Sequence, residues 1–409
     1  MRRLFKLDFP RQFWLMFLGM LISTIGSSMI WPFLMIYVSE RLGLPLTFTA
    51  MLLTLNSVMG LISSLIAGPI IDRLGRKWVM VGSLLLNGAG FLLMSQAQSL
   101  LAFALIMGLQ GAVNPLFRVG GDAMMADLIP AENRADAYSL MRLSNNVGVA
   151  IGPAVGGFLA SASYNLAFYG AATGLTIYGL LLAFKARETL PTLHPEQIAQ
   201  AARERFGGYG QVLTDKPYRA FVLSFLFTQF SASILWVMLS VYTKTNFGLP
   251  ESRYGLIPMT NALMVVVLQL PVTQWTKKQK PQVMMALGAL FYAVGVGSVA
   301  LGSSFWGFWA SMVIMTLGEL VLVPTTSTYA ANSAPTHMRG RYMSIYGLTW
   351  NVAQGIGPVG GGFLNDTFGP RSMWYGGGIT GLISTGLFLL LARTRGKEAT
   401  MVAEEKSQA

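Results

Sequence analysis

Uninterrupted apolar runs, such as Phe13 to Tyr37, Trp78 to Met94 and Trp374 to Leu391, constrain this chain more than anything else in it. Each approaches the roughly 20 residues that an α-helix needs to cross the hydrocarbon of a bilayer. Strands of a membrane barrel would instead be about ten residues long and alternate in polarity, so helices are the expected form. Composition agrees, because only 11% of the 409 residues are charged, whereas a soluble domain carries about 25%. Read along its length, the chain offers twelve spans, at 12–38, 47–71, 78–97, 100–126, 134–161, 165–186, 217–244, 251–275, 282–301, 304–330, 339–365 and 371–393.

The net charge of +12 does not point to nucleic acid once its distribution is followed. Of the 29 Lys and Arg residues, only Arg41, Lys244, Arg253 and Arg371 fall on one side of the spans, Arg118 and Arg142 lie within them, and the rest share the opposite side. The positive-inside rule makes the rich side cytoplasmic, so both termini are expected there, in a multi-pass protein of the cell inner (plasma) membrane. The basic start before span one resembles a signal peptide, but its apolar run is about twice a normal h-region and no A-x-A site follows, so span one is expected to be retained. The chain has no cysteine, which excludes disulfides and thiolate metal or cluster sites. Its two histidines, His194 and His337, fall in expected loops, so no metal or other cofactor is expected.

A polar stretch near 187–216 follows span six and divides the chain into an expected N-terminal bundle (1–190), a cytoplasmic linker (191–216) and a C-terminal bundle (217–409). Within the linker, 195–206 is readable either as a surface amphipathic helix or as solvated loop. A shift of 205 positions lays Asn146-Val147 on Asn351-Val352, Ile151-Gly152-Pro153 on Ile356-Gly357-Pro358, and Gly156-Gly157-Phe158-Leu159 on Gly361-Gly362-Phe363-Leu364. The expected fold is therefore all-α and integral to the membrane, with twelve transmembrane helices in two pseudo-symmetric six-helix bundles, an arrangement in which transporters place a site near the midplane.

The loop after span two reads Gly68-Pro-Ile-Ile-Asp72-Arg73-Leu-Gly75-Arg76-Lys77. It matches G-x-x-x-D-R-x-G-R-[RK], and on these residues the chain resembles the major facilitator superfamily. Gly68 would let span two approach a neighbour closely, and Asp72 could sit against a helix N-terminus. The resemblance implies a cytoplasmic gate that latches the two halves, touches the eleventh helix and uses a carboxylate at the end of span four, here Asp127. Asp72, Arg76 and Asp127 are the expected gating network, with Gly68, Arg73 and Gly75 shaping it. The second-half loop Thr276-Lys277-Lys278-Gln279-Lys280 keeps the charge without the acid or the glycines, so a working latch is expected only in the first half.

Gly148, Gly152, Pro153, Gly156 and Gly157 in span five resemble the motif of the antiporter branches, and tight helix packing accounts for the same residues. Span four departs from the drug:proton antiporter pattern, because Met107 stands where an arginine precedes the Gln110-Gly111 pair. Among the acids only Glu319 and Asp122 lie clearly inside spans. An ionisable group there is costly unless paired or hydrated, and is functional by default. Glu319, ringed by apolar neighbours in span ten, is the leading proton-coupling residue, with Asp122 beside it; the competing reading pairs Glu319 permanently with an arginine. Arg118 and Asp122 share one face of span four and can equally neutralise each other. Arg142, in span five, can snorkel or join the gate. In the family helices one, four, seven and ten line the cavity, which implies that Arg118, Asp122 and Glu319 face it. Asn114, Trp31, Gln229, Trp236 and Trp350 are further cavity candidates, although aromatics in spans also serve as packing or interface anchors. The 24 methionines suit an adaptable apolar lining.

These features resemble the twelve-helix drug:proton antiporter group and imply a monomeric exporter of amphipathic or lipophilic small molecules, exchanged for protons by alternating access across the lipid bilayer. A lipid or glycolipid flippase and a solute uptake permease of the same superfamily share the motifs. An enzyme or receptor is not expected, because no Walker motif, metal cluster or catalytic triad is present.

Overall fold

The computed structural model describes residues 9–130, 133–190, 209–335 and 338–408. Among them eleven helices are long and apolar enough to cross a membrane. A twelfth long helix, Arg339–Phe368, is the expected eleventh span and is more polar than the others, carrying Asn351, Gln354, Asn365 and Asp366. The amphipathic-helix reading of 195–206 and both histidines lie outside the described residues.

The 205-residue shift found in the sequence relates the helices themselves. Span one covers Arg11–Leu42 and span seven Lys216–Phe247; span three covers Arg76–Gln96 and span nine Pro281–Leu301; span four covers Leu100–Leu128 and span ten Phe305–Ser333. Adding 205 to either end of each first-half helix gives the ends of its second-half partner. One departure is in span one, where Pro32 cannot donate to Ser28 and a 3₁₀ turn at Trp31–Phe33 interrupts the helix. Span seven runs unbroken.

The residues group into two compact units, one drawn from 1–206 and 240–266, the other from 207–239 and 267–409. In the first, span one lies against spans five and six, span two against span four, and span three against spans four and six. In the second, span nine lies against spans ten and twelve, so the packing repeats with the sequence. Large side chains fill both interiors: Phe13, Phe103, Phe168 and Tyr178 in the first, Phe221, Phe225, Phe308 and Trp374 in the second. Apolar burial drives little association between helices already in lipid, so close backbone approach at small residues carries much of the packing. Gly152 meets Ser28 and Gly156 meets Met29 in span one. Their partners at +205, Gly357 and Gly361, meet Ser233 and Ile234 in span seven, the +205 positions of Ser28 and Met29.

Candidate functional site

The loop after span two folds into a charged cluster. Gly75 ends that helix at φ +92°, in the region that favours glycine, and turns the chain so that Arg76 begins span three. The Arg76 side chain is only 7% exposed; its Nε lies 3.1 Å from Asp127 Oδ2 and its Nη1 3.4 Å from Asp72 Oδ1. The expected trio therefore meets, with one arginine between two carboxylates. Arg73 is exposed, and Gly68 is buried within span two.

The helix N-terminus in this cluster holds a different acid from the one expected. Glu188, at the end of the first bundle, accepts from the backbone N–H of Arg76 at 2.9 Å and of Lys77 at 3.1 Å, while Asp72 spends its charge on Arg76. A carboxylate there satisfies free N–H groups and complements the helix dipole. Thr189 Oγ1 donates to Asp127 Oδ2 at 3.0 Å, and Gln12 exchanges two hydrogen bonds with the backbone of Arg187. The segment after span six thus ties spans one, three and four together. A lone glutamate a hundred residues from the motif gave no sequence signal of this role.

Every glycine of the span-five motif is at a close contact. A Cβ on Gly148 would stand 2.7 Å from Thr24 Cβ, and one on Gly156 would overlap the Met29 carbonyl. Gly157 faces elsewhere: a Cβ there would overlap the carbonyl of Glu251, and one on Gly255 would overlap the carbonyl of Pro153. The start of span eight is seated directly on the Pro153–Gly157 backbone. In span four Gln110 is buried against span three, donating to the Asn87 carbonyl at 3.3 Å, and Gly111 abuts the backbone of Asn56. The Gln-Gly pair therefore serves packing.

Above the Gly157 contact lies a charged knot that the sequence reading passed over. Lys244 Nζ, at the end of span seven, is 2.8 Å from Glu40 Oε1 and donates to the Tyr164 hydroxyl at 2.8 Å. It also pairs with Glu251 Oε1, to which Tyr164 donates as well. The Glu251 side chain is 8% exposed. Tyr254, one turn on, packs edge-on against Phe33 with ring centroids 5.8 Å apart. Four helix ends, those of spans one, six, seven and eight, meet in this knot. The available signal was that Lys244 is one of very few basic residues on the sparse side and precedes Glu251 by seven residues.

Arg118 and Asp122 line a cavity of about 90 Å³ in the first unit, walled by Met16, Met20, Met80, Met125 and Met141 with Phe117, Tyr138 and Tyr178. No ion pair joins Arg118 to Asp122 among those of the described residues. Asn114 lies one turn before Arg118 on the same helix, and Trp31 is 47% exposed at the 3₁₀ turn of span one. In the second unit Glu319 is half-buried in span ten, near enough to the buried Tyr292 to act on it electrostatically. Gln229 is buried in span seven, and Trp350 stacks edge-on against Phe225 at 6.0 Å. Trp236 is Trp31 shifted by 205, and Glu319 is Asn114 shifted by 205. The repeat thus places an acid in one half where the other has a neutral amide.

The Major Facilitator Superfamily profile matches residues 16–228 and again 221–408. The chain belongs to this superfamily. It is a multi-pass membrane transporter and not an enzyme, as its named relatives agree. It is 26% identical to a Na(+), Li(+), K(+)/H(+) antiporter of Planococcus maritimus, over 94% of this chain and 95% of that protein. It is 25% identical to the multidrug resistance protein MdtH of Escherichia coli, over 89% of this chain and 90% of MdtH. A POT family transporter crystallised with a thioalcohol-conjugated peptide superposes with a TM-score of 0.76 at 17% identity, over 94% of this chain and 96% of the other. That likeness shows a shared fold.

Proposed function

We propose that this transporter is a proton-coupled exporter of amphipathic or lipophilic small molecules, acting as a monomer in the bacterial inner membrane with both termini in the cytoplasm. The observation that carries the reading is the cavity of the first unit, where five methionines and three aromatic side chains surround Arg118 and Asp122. Thioethers and rings adapt to varied apolar shapes, and at about 90 Å³ the cavity would have to widen between these flexible side chains to admit a solute that the two charges orient. Glu319 supplies the coupling. Half-buried in span ten, it would carry the proton between the two facing states, its protonation biasing one against the other. Asp122 assists as the second acid.

Alternating access follows from two charged closures in this reading. Asp72, Arg76 and Asp127 gate the cytoplasmic side, and the Lys244 knot closes the outer side. Support for export comes from the span-five motif and from the multidrug relative. The antiporter relative favours a second reading, exchange of a monovalent metal cation for a proton at the same acids.

The test is proton movement in inside-out vesicles on addition of a lipophilic cation, with Glu319→Gln as the control. Dye-driven proton release that Glu319→Gln abolishes is the expected result. Release driven by sodium, lithium or potassium but by no organic cation replaces the drug reading with the metal-cation one. Movement of labelled lipid between leaflets, with neither response, makes the protein a flippase.

A further inference from the structure

The second unit contains a cavity of about 400 Å³ at the junction of spans eight, nine and ten, and it occupies the repeat position of the charged cluster after span two. Subtracting 205 takes its Lys277 to Asp72, its Pro281 to Arg76 and its Asn332 to Asp127. In the first half the Arg76 side chain fills this space between its two carboxylates. In the second half a proline stands in the arginine's place and both acids are gone, one replaced by an ammonium and the other by an amide. The space is therefore open, and the sign of its charge is reversed.

The lining contains no Asp or Glu. It offers the Lys277 ammonium, the Asn332 and Gln282 amides and the hydroxyl of Thr328, while the Thr325 hydroxyl already donates to the Val321 carbonyl. Lys278 and Lys280, in the same loop, are exposed beside it. Cationic and neutral donors without a competing carboxylate suit a phosphate group. An apolar surface adjoins the cavity on span eight, where Leu270 is 72% exposed and Trp275 49%. A ligand with a phosphate and acyl chains would cover both parts at once.

We propose that this cavity binds the phosphate of an anionic phospholipid headgroup, with the acyl chains along span eight. The inference needs only the membrane-protein assignment and is independent of the cargo. Native mass spectrometry of the purified full chain, titrated with phosphatidylglycerol and with phosphatidylcholine, measures it. Lys277→Gln is expected to weaken phosphatidylglycerol binding about five-fold, the ratio that ~1 kcal/mol per basic residue near an anionic lipid gives. Asn332→Asp, which restores the first-half acid, should weaken it by a similar factor, and Asn332→Lys should strengthen it. Phosphatidylcholine, whose quaternary ammonium would meet Lys277, Lys278 and Lys280, should bind the parent more weakly than phosphatidylglycerol and change less across the variants. Both positions are exposed, and the opposite directions expected at Asn332 separate the site from general damage. Phosphatidylglycerol affinities that are equal in all three variants and the parent overturn the proposal. So does displacement of the lipid by millimolar inorganic phosphate, which would make the occupant a soluble anion.

Discussion

Replacing Lys244 with Met tests the proposal that the knot around it is an outer closure that the transporter must break. The substitution keeps the length of the apolar stem and removes the one cation paired with Glu251 among the described residues; the Glu251 side chain is 8% exposed. Leaving one partner of a buried pair behind costs about 3–5 kcal/mol. The lower end applies, because the Tyr164 hydroxyl still donates to Glu251. About 3 kcal/mol corresponds to a shift on the order of 100-fold in the ratio of closed to open outer face. Glu251→Gln should shift it far less, since Lys244 keeps Glu40 at 2.8 Å. The double variant Lys244→Met/Glu251→Gln, which leaves only the half-exposed Glu40 without its cation, should restore much of the closure. The chain contains no cysteine, so a single reporter gives an unambiguous reading. Ser240→Cys is suitable, because Ser240 is 1% exposed in the same compact unit. Its labelling by an impermeant maleimide added to whole cells should accelerate in Lys244→Met, change little in Glu251→Gln and slow again in the double variant. Equal labelling rates in Lys244→Met and the parent would refute the argument, and so would a double variant more labile than Lys244→Met.

Gly157→Val should abolish transport while leaving insertion into the membrane intact, because its side chain must displace the Glu251 backbone; uptake assays with quantified membrane protein decide. Gly75→Ala should lower thermal stability in detergent, since it forces a side chain into φ +92° and against the Glu188 carboxylate, at ~1–2 kcal/mol for the backbone alone. Glu188→Ala removes the acceptor of two helix N–H groups and should cost ~1 kcal/mol, read as a reduced midpoint in the same assay. Asp127→Asn should slow transport more than it lowers stability, because Arg76 keeps Asp72 at 3.4 Å; a transport loss that only tracks the fall in stability would remove Asp127 from the gate.

Much of the fold was legible because membrane insertion is a one-dimensional constraint. A run such as Trp78 to Met94 has to be a spanning helix whatever surrounds it, and the duplication appears as letters repeated at a fixed shift. The motif's trio was legible through the resemblance to the superfamily, which pointed to Asp72 and Arg76 in the loop after span two and to Asp127 at the end of span four. Glu188 and Lys244 were not, because each acts across the fold on residues distant in sequence, and an isolated charge near a helix end carries no periodicity. The Asp72 expectation failed on a competition between two acids. Glu188 accepts from the N–H groups that open span three, while Asp72, at the end of span two, pairs with the Arg76 side chain across the Gly75 turn.

The interruption of span one has a mechanical consequence. Pro32 and Glu40 are eight residues apart, a lever of about 12 Å at helical rise. A change of about 20° at the Trp31–Phe33 turn, the size of an ordinary proline kink, would swing Glu40 by about 4 Å and break its contact with Lys244. Span seven has no such joint, so Lys244 rides on a rigid rod. Of two helices related by the repeat, only span one carries a joint, and a change of angle there is felt at the knot as movement of Glu40 against Lys244.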